Sequence, residues 1–186
     1  MKSFALLLAA GLAVCTLPAA AQNAPGRTAW KQMPEITFNF YSKTGTPQQA
    51  QTVREVWGNR LRPRDVAFAL LAEADTAENH YIFSMLNNSD NPNNNCLAPP
   101  NGDGSTRAQP TYSTCPMRVV QRHKASGRTT VRDLPNYCYL NLDDEPGNLA
   151  QHHTEYAYDA ANKIIRFRTI MYGRHERTCD RSIRLR

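Results

Sequence analysis

The chain has 186 residues, a formal net charge of +6, 41% hydrophobic residues and five cysteines. This length suits one domain built around one core. Beyond the N-terminal stretch no segment is apolar enough to span a bilayer, so a transmembrane protein is not expected.

The N-terminus opens with Lys2, and Phe4 to Leu17 is then apolar and uncharged. Pro18 breaks that stretch, and Ala19-Ala20-Ala21 offers the small side chains that a signal peptidase accepts. Residues 1–21 therefore read as a cleavable secretion signal, too short for a membrane helix of roughly 20 residues. Lipidation at Cys15 is disfavoured because the branched Val14 precedes it. The expected location is the periplasm or the medium. Residues 22–34 read as a flexible leader and 35–186 as a single α+β domain.

Cys15 leaves with the signal, which leaves Cys96, Cys115, Cys138 and Cys179. An even count in a secreted chain predicts two disulfides, with three pairings open. Cys96–Cys115 is favoured because both lie in one polar loop, and Cys138–Cys179 because both lie in strand-like segments. None of the four falls in a C-x2-C or C-x4-C pair, so zinc is not expected.

In chain order, Ile36 to Tyr41 is a run of β-formers and predicts a first strand. Thr46-Pro47 caps a helix start, and Val53, Val56, Trp57 and Leu61 recur at helical spacing. Gly58 weakens that helix and Pro63 ends it. Val66 to Asp75 has helix-forming composition but suits a hairpin with His80 to Leu86, turning at residues 76–79. Residues 87–116, rich in Asn, Pro and Gly, predict a long loop bridged by a disulfide. Within it, Asp103 lacks the spaced carboxylates of a calcium loop.

From Met117 the pattern is that of strands: Met117 to Lys124, Thr129 to Val131, and Tyr137 to Leu142. An acidic turn at Asp143 to Gly147 follows. His153 to Asp159 pairs with Lys163 to Tyr172 through residues 160–162. Ile165, Phe167, Thr169 and Met171 alternate with Arg166 and Arg168, which marks a strand with one wet face. The predicted fold is α+β: a mainly antiparallel sheet, one N-terminal helix and a long bridged loop.

The positive charge is local. Lys163, Arg166, Arg168, Arg174, Arg177, Arg181, Arg184 and Arg186 crowd the C-terminal tail against only Glu176 and Asp180. Arginine suits bidentate contact with carboxylates or phosphates. No recognition helix, RNA-binding signature or zinc finger is present, so nucleic acid is not the expected partner. An acidic protein surface or an anionic envelope component fits better, met by Arg166 and Arg168 with Tyr156, Tyr158 and Tyr172.

No cofactor and no reaction motif is evident. G-x-S-x-G and H-E-x-x-H are absent, and oxidised cysteines offer no thiolate. His152 and His153 are adjacent, so on a strand they point to opposite faces. His153 and Glu155 share a face and form the one candidate acid–base pair. The expected function is a non-catalytic binding protein, in concrete form an inhibitor or immunity protein against an envelope-acting enzyme. The alternatives are an envelope hydrolase using His153 and Glu155, or a structural accessory of a secretion or surface assembly.

Overall fold

A chain segment that changes sheets at a proline organises the architecture. In the computed structural model, which describes residues 29–38, 46–61, 66–88, 96–98, 112–140 and 150–186, Lys31–Gln32 form β1 and Glu35–Phe38 form β2. Pro34 between them cannot donate a ladder hydrogen bond. Met33 N–H still bonds Thr154 O (2.8 Å) in one sheet, while Pro34 O accepts from Leu71 N–H (3.2 Å) in the other. One short stretch thus edges two sheets. Lys31–Gln32 lie inside the stretch read from sequence as leader, where two residues are too few to show a strand pattern.

The remaining elements are α1 (Pro47–Trp57), β3 (Ala67–Asp75), β4 (Asn79–Asn87), β5 (Tyr112–His123), β6 (Thr129–Leu140), β7 (His153–Asp159), β8 (Ile164–Met171) and β9 (Arg174–Arg184). Sheet one runs β2-β3-β4-β5-β6 and sheet two runs β1-β7-β8-β9, with every neighbouring pair antiparallel. The fold is α+β and mainly antiparallel, as the sequence predicts. Residues 1–21, read from sequence as a secretion signal, the turn expected at 143–147 and most of the 87–116 loop lie outside the described residues.

The helix is where the sequence places it. Thr46 Oγ1 accepts from Gln49 N–H (3.2 Å), and Gln49 Oε1 accepts from Thr46 N–H (2.8 Å), a reciprocal capping box ahead of Pro47. The helix stops at Gly58, whose φ of 51° favours glycine, and one turn of 3-10 helix (Gly58–Arg60) follows. Val53, Val56, Trp57 and Leu61 pack on Ile36, Phe38, Ala67, Ala69, Leu71, Ile82 and Leu86 of sheet one. The indole N–H of Trp57 donates to Ser84 Oγ (2.9 Å), so neither buried polar atom is left unpaired.

The opposite face of sheet one meets sheet two. Strand β3 is buried on both faces, with Phe68, Leu70, Ala72 and Ala74 in the inter-sheet core and Ala67, Ala69 and Leu71 under the helix. This sandwiching explains its ambiguous sequence, since alternation vanishes when both faces are apolar. Phe83 and Tyr137 of sheet one contact Phe167 of sheet two with ring centroids 5.5 and 5.8 Å apart. On the side away from β1 and β2, the disulfide Cys138–Cys179 links edge strand β6 to edge strand β9, with Cα atoms 5.7 Å apart.

Three strand boundaries depart from the sequence reading. Strand β5 begins at Tyr112, so Cys115 sits in a strand rather than a loop, and Cys96–Cys115 pins the segment 96–98 alongside it. Strand β6 is continuous through Pro135, where the sequence suggests two strands. The register slips between Cys115↔Tyr137 and Met117↔Leu134, and this bulge accommodates Pro116 and Pro135. Finally, β9 is a strand that no alternation announces. Its register to β8 shifts between Phe167 and Thr169, which breaks the period of two.

Candidate functional site

The outer face of sheet two carries the polar residues singled out from sequence. The β7–β8 register sets Glu155 opposite Arg168, Ala157 opposite Arg166 and His153 opposite Ile170, while β1 sets Gln32 opposite Glu155. Glu155 therefore lies between Arg168 and His153. Arg168 Nε donates to its Oε2 (2.5 Å), and His153 Nε2 lies 3.1 Å from its Oε1. The Arg168 guanidinium stacks 4.2 Å from the centroid of Trp30. The side chains of His153 and Glu155 are only 13% and 15% exposed, so this pair is shielded and firmly held. Burial alone pushes the Glu155 carboxyl upward, but the hydrogen bonds and charges of Arg168 and His153 outweigh it and hold it below the usual range.

Arg166 is engaged in the same way, with Nη2 3.5 Å from Asp159 Oδ2. The Asp159 carboxyl is held below its usual pKa chiefly by hydrogen bonds from the Asn162 side chain and backbone, with Arg166 adding to them. Arg181 serves a structural purpose. It donates from Nη1 to Pro135 O and from Nη2 to Asn136 O, both at 2.6 Å, and covers the Tyr137 ring at the seam between the sheets. Desolvation there lowers its pKa. The basic tail thus sorts into arginines already matched by carboxylates, one arginine closing the seam, and a remainder. Among the described residues, Arg174, Arg177 and Arg184 are exposed and meet no carboxylate.

The three tyrosines separate too. Tyr156 and Tyr158 pack against the inter-sheet core, and burial raises the pKa of each. Tyr172 stands out at 50% exposure, at the end of the β8–β9 hairpin. Met171 pairs with Arg174, so Tyr172 and Gly173 alone make the turn, with φ of 50° and 68°. Both values are positive, the mirror-image two-residue turn that matches strand twist. Glycine adopts this readily, whereas tyrosine is strained there. The strain is held by His152: its Nδ1 accepts from Tyr172 N–H (3.2 Å), and its ring meets the Tyr172 ring edge-on at 4.8 Å. Gly173 N–H also donates to Gln151 O (3.0 Å). Exposed Arg174 follows the turn, and Arg177 lies in the adjoining bulge.

Sequence reasoning named Tyr172 but missed His152 as its clamp and Trp30 as the platform for Arg168, and it did not separate Arg174 and Arg177, unmatched among the described residues, from the rest of the basic tail. The only sequence cue for the turn is a glycine two places past the apolar alternation. Tyr-Gly lacks the Asn or Asp that usually marks such turns. The adjacent histidines do diverge, His152 to the hairpin turn and His153 to the outer face. Among the described residues, no three His, Cys, Asp or Glu side chains converge as a metal site would need. All four cysteines named above are in disulfides, in the pairing favoured from sequence. Such bridges suit an extracellular or periplasmic setting. No described helix is long and apolar enough to cross a membrane. No protein-family model, curated protein or solved structure matches this chain.

Proposed function

We propose that the protein is a secreted, non-catalytic binding protein whose β8–β9 turn engages an acidic surface on a protein partner. The carrying observation is Tyr172, an exposed aromatic fixed in a strained turn and followed by arginines that meet no carboxylate among the described residues. A rigid aromatic beside free guanidinium groups has the composition of a binding hot spot, and rigidity lowers the entropic cost of association. Arg166 and Arg168, already matched by Asp159 and Glu155, contribute less to an acidic partner than the turn does. In its most concrete form the partner is an envelope-acting enzyme, and the protein is its inhibitor or immunity protein.

The test is capture from an envelope extract by the oxidised protein at low and high salt. A stoichiometric partner is expected at low salt and is released at high salt. Tyr172→Ala combined with Arg174→Glu should lose it while the fold persists. Retention by that variant removes the turn from the interface.

A second reading, an envelope hydrolase, draws support from the 3.1 Å contact of His153 with Glu155. Its weakness is chemical: Glu155 also accepts from Arg168, so the carboxylate is shared and less available to raise the basicity of the imidazole. An activity on envelope polymers that disappears in His153→Ala would favour it.

A further inference from the structure

The change of sheet at Pro34 leaves a gap. Strand β2 follows β3 only as far as Leu70, and the chain then leaves sheet one to edge sheet two. Beyond that point the edge of β3 faces no strand among the described residues: Leu71 N–H turns to Pro34 O, and the backbone of Glu73 reaches the Tyr156 hydroxyl. The start of α1 roofs the opening. The result is a cleft of about 310 Å³ lined by Pro34, Gln48, Gln49, Thr52, Leu71, Glu73 and Tyr156. At roughly 30 Å³ per water, it holds on the order of ten waters, the size of one sugar ring.

We propose that this cleft binds a single neutral pyranose ring. The lining argues for that class in three ways. First, its polar groups are mixed. Glu73 is an acceptor, Gln48 and Gln49 carry amides, and Tyr156 and Thr52 carry hydroxyls. Gln49 Oε1 is engaged by the helix cap, which leaves its amide N–H groups for a ligand. Thr52 donates to Gln48 O and so retains an acceptor lone pair. Planar carboxylate and amide groups suit the paired hydroxyls of a sugar. Second, Pro34, Leu71 and the Tyr156 ring supply an apolar wall for the C–H face of such a ring.

Third, the described lining does not favour an anion. Among the described residues no lysine or arginine lines the cleft, and Glu73, whose Oε2 lies 3.9 Å from His80 Nε2, repels an anion. The N-terminal end of α1, with its positive partial charge, opposes a cation. A neutral ligand rich in donors and acceptors remains. The ring can be a free monosaccharide or the end residue of a polymer, and both present the same chemistry.

The test follows backbone amide resonances of the oxidised protein during titration with a panel of neutral methyl hexosides and N-acetylhexosaminides. Each is paired with the matching oligosaccharide, and n-butylamine and a uronic acid serve as charged controls. Saturable shifts at Thr52, Glu73 and Tyr156 are expected with at least one neutral glycoside. Glu73→Gln should weaken binding about tenfold by loss of a charge-assisted hydrogen bond, with the remaining spectrum unchanged. Tyr156→Phe, which keeps the ring, provides the second variant and should weaken the same ligand. Binding of the glycoside and the oligosaccharide alike supports the assignment with a polymer end as source; binding of the glycoside alone supports it with a free sugar. Absence of saturable shifts across the neutral panel, shifts with a charged control instead, or full affinity in both variants would overturn it.

Discussion

Replacing Cys138 and Cys179 together by alanine opens the sandwich on one side. The two sheets are joined by continuous chain at β1–β2, whereas at β6 and β9 the disulfide and Arg181 hold the edges together. The bridge spans a sequence separation of 41. Loop-closure entropy for such a separation corresponds to about 3.9 kcal/mol at 25 °C. For Cys96–Cys115, with a separation of 19, the same relation gives about 3.2 kcal/mol. The second bridge fastens only segment 96–98 to β5, so its loss leaves both sheets paired. Urea unfolding of the oxidised protein and of each double-alanine variant should therefore show losses of about 4 and about 3 kcal/mol. Against a typical total of 5–15 kcal/mol, the Cys138/Cys179 variant should be marginal. A loss below about 1 kcal/mol for that pair would refute the assignment of the seam to the bridge.

Trp57→Phe leaves the Ser84 hydroxyl, which is fully buried, without its donor. It should cost about 1–3 kcal/mol in urea unfolding, and adding Ser84→Ala should recover part of that loss. In a His152→Ala background, where the ring contact is gone, Tyr172→Asn should stabilise the protein by about 1 kcal/mol in thermal unfolding, because asparagine tolerates positive φ. An unchanged or lower melting temperature would mean that the turn is not strained. Glu155 is held below its usual pKa in the folded protein, so its contribution to stability is full above the unfolded value of about 4.3. That contribution is lost as pH falls through the lower folded value, since the unfolded chain binds the proton first. Unfolding free energies across this acid range should fall more steeply for the wild type than for Glu155→Gln.

Much of the fold was legible where one physical signal ruled. Thr46-Pro47 marked a helix start that capping geometry alone decides, and Ile165 to Met171 alternated because one face of β8 is wet. The cysteines paired as favoured, although Cys115 lies in β5 and not in the loop from which its pairing was argued. Legibility failed where tertiary pairing overrode local pattern. Strand β9 reads as a charged tail until β8 supplies its ladder, and Pro135 reads as a break until a bulge in β6 itself, opposite Pro116, absorbs it. The same limit applies to the outer face of sheet two. Counting arginines located the charge, but only the register showed Arg166 and Arg168 matched by Asp159 and Glu155, with Arg174 and Arg177 left over. His152 could not be identified as a clamp, because its partner lies across a hairpin whose turn residues are atypical.

The order of strands in sheet two has a consequence for when the protein can fold. Its first strand precedes every strand of sheet one, yet Lys31 pairs with Tyr156, and the sheet is completed by β8 and β9. Sheet one can form as successive hairpins while the chain emerges, but β1 has no partner in sheet two until β7 is made, after every strand of sheet one. The seam disulfide is subject to a longer delay, because Cys179 lies in β9, beyond β7 and β8. Under the export proposed above, the contacts that close the sandwich and the covalent bond at its seam both wait on segments made after sheet one is complete.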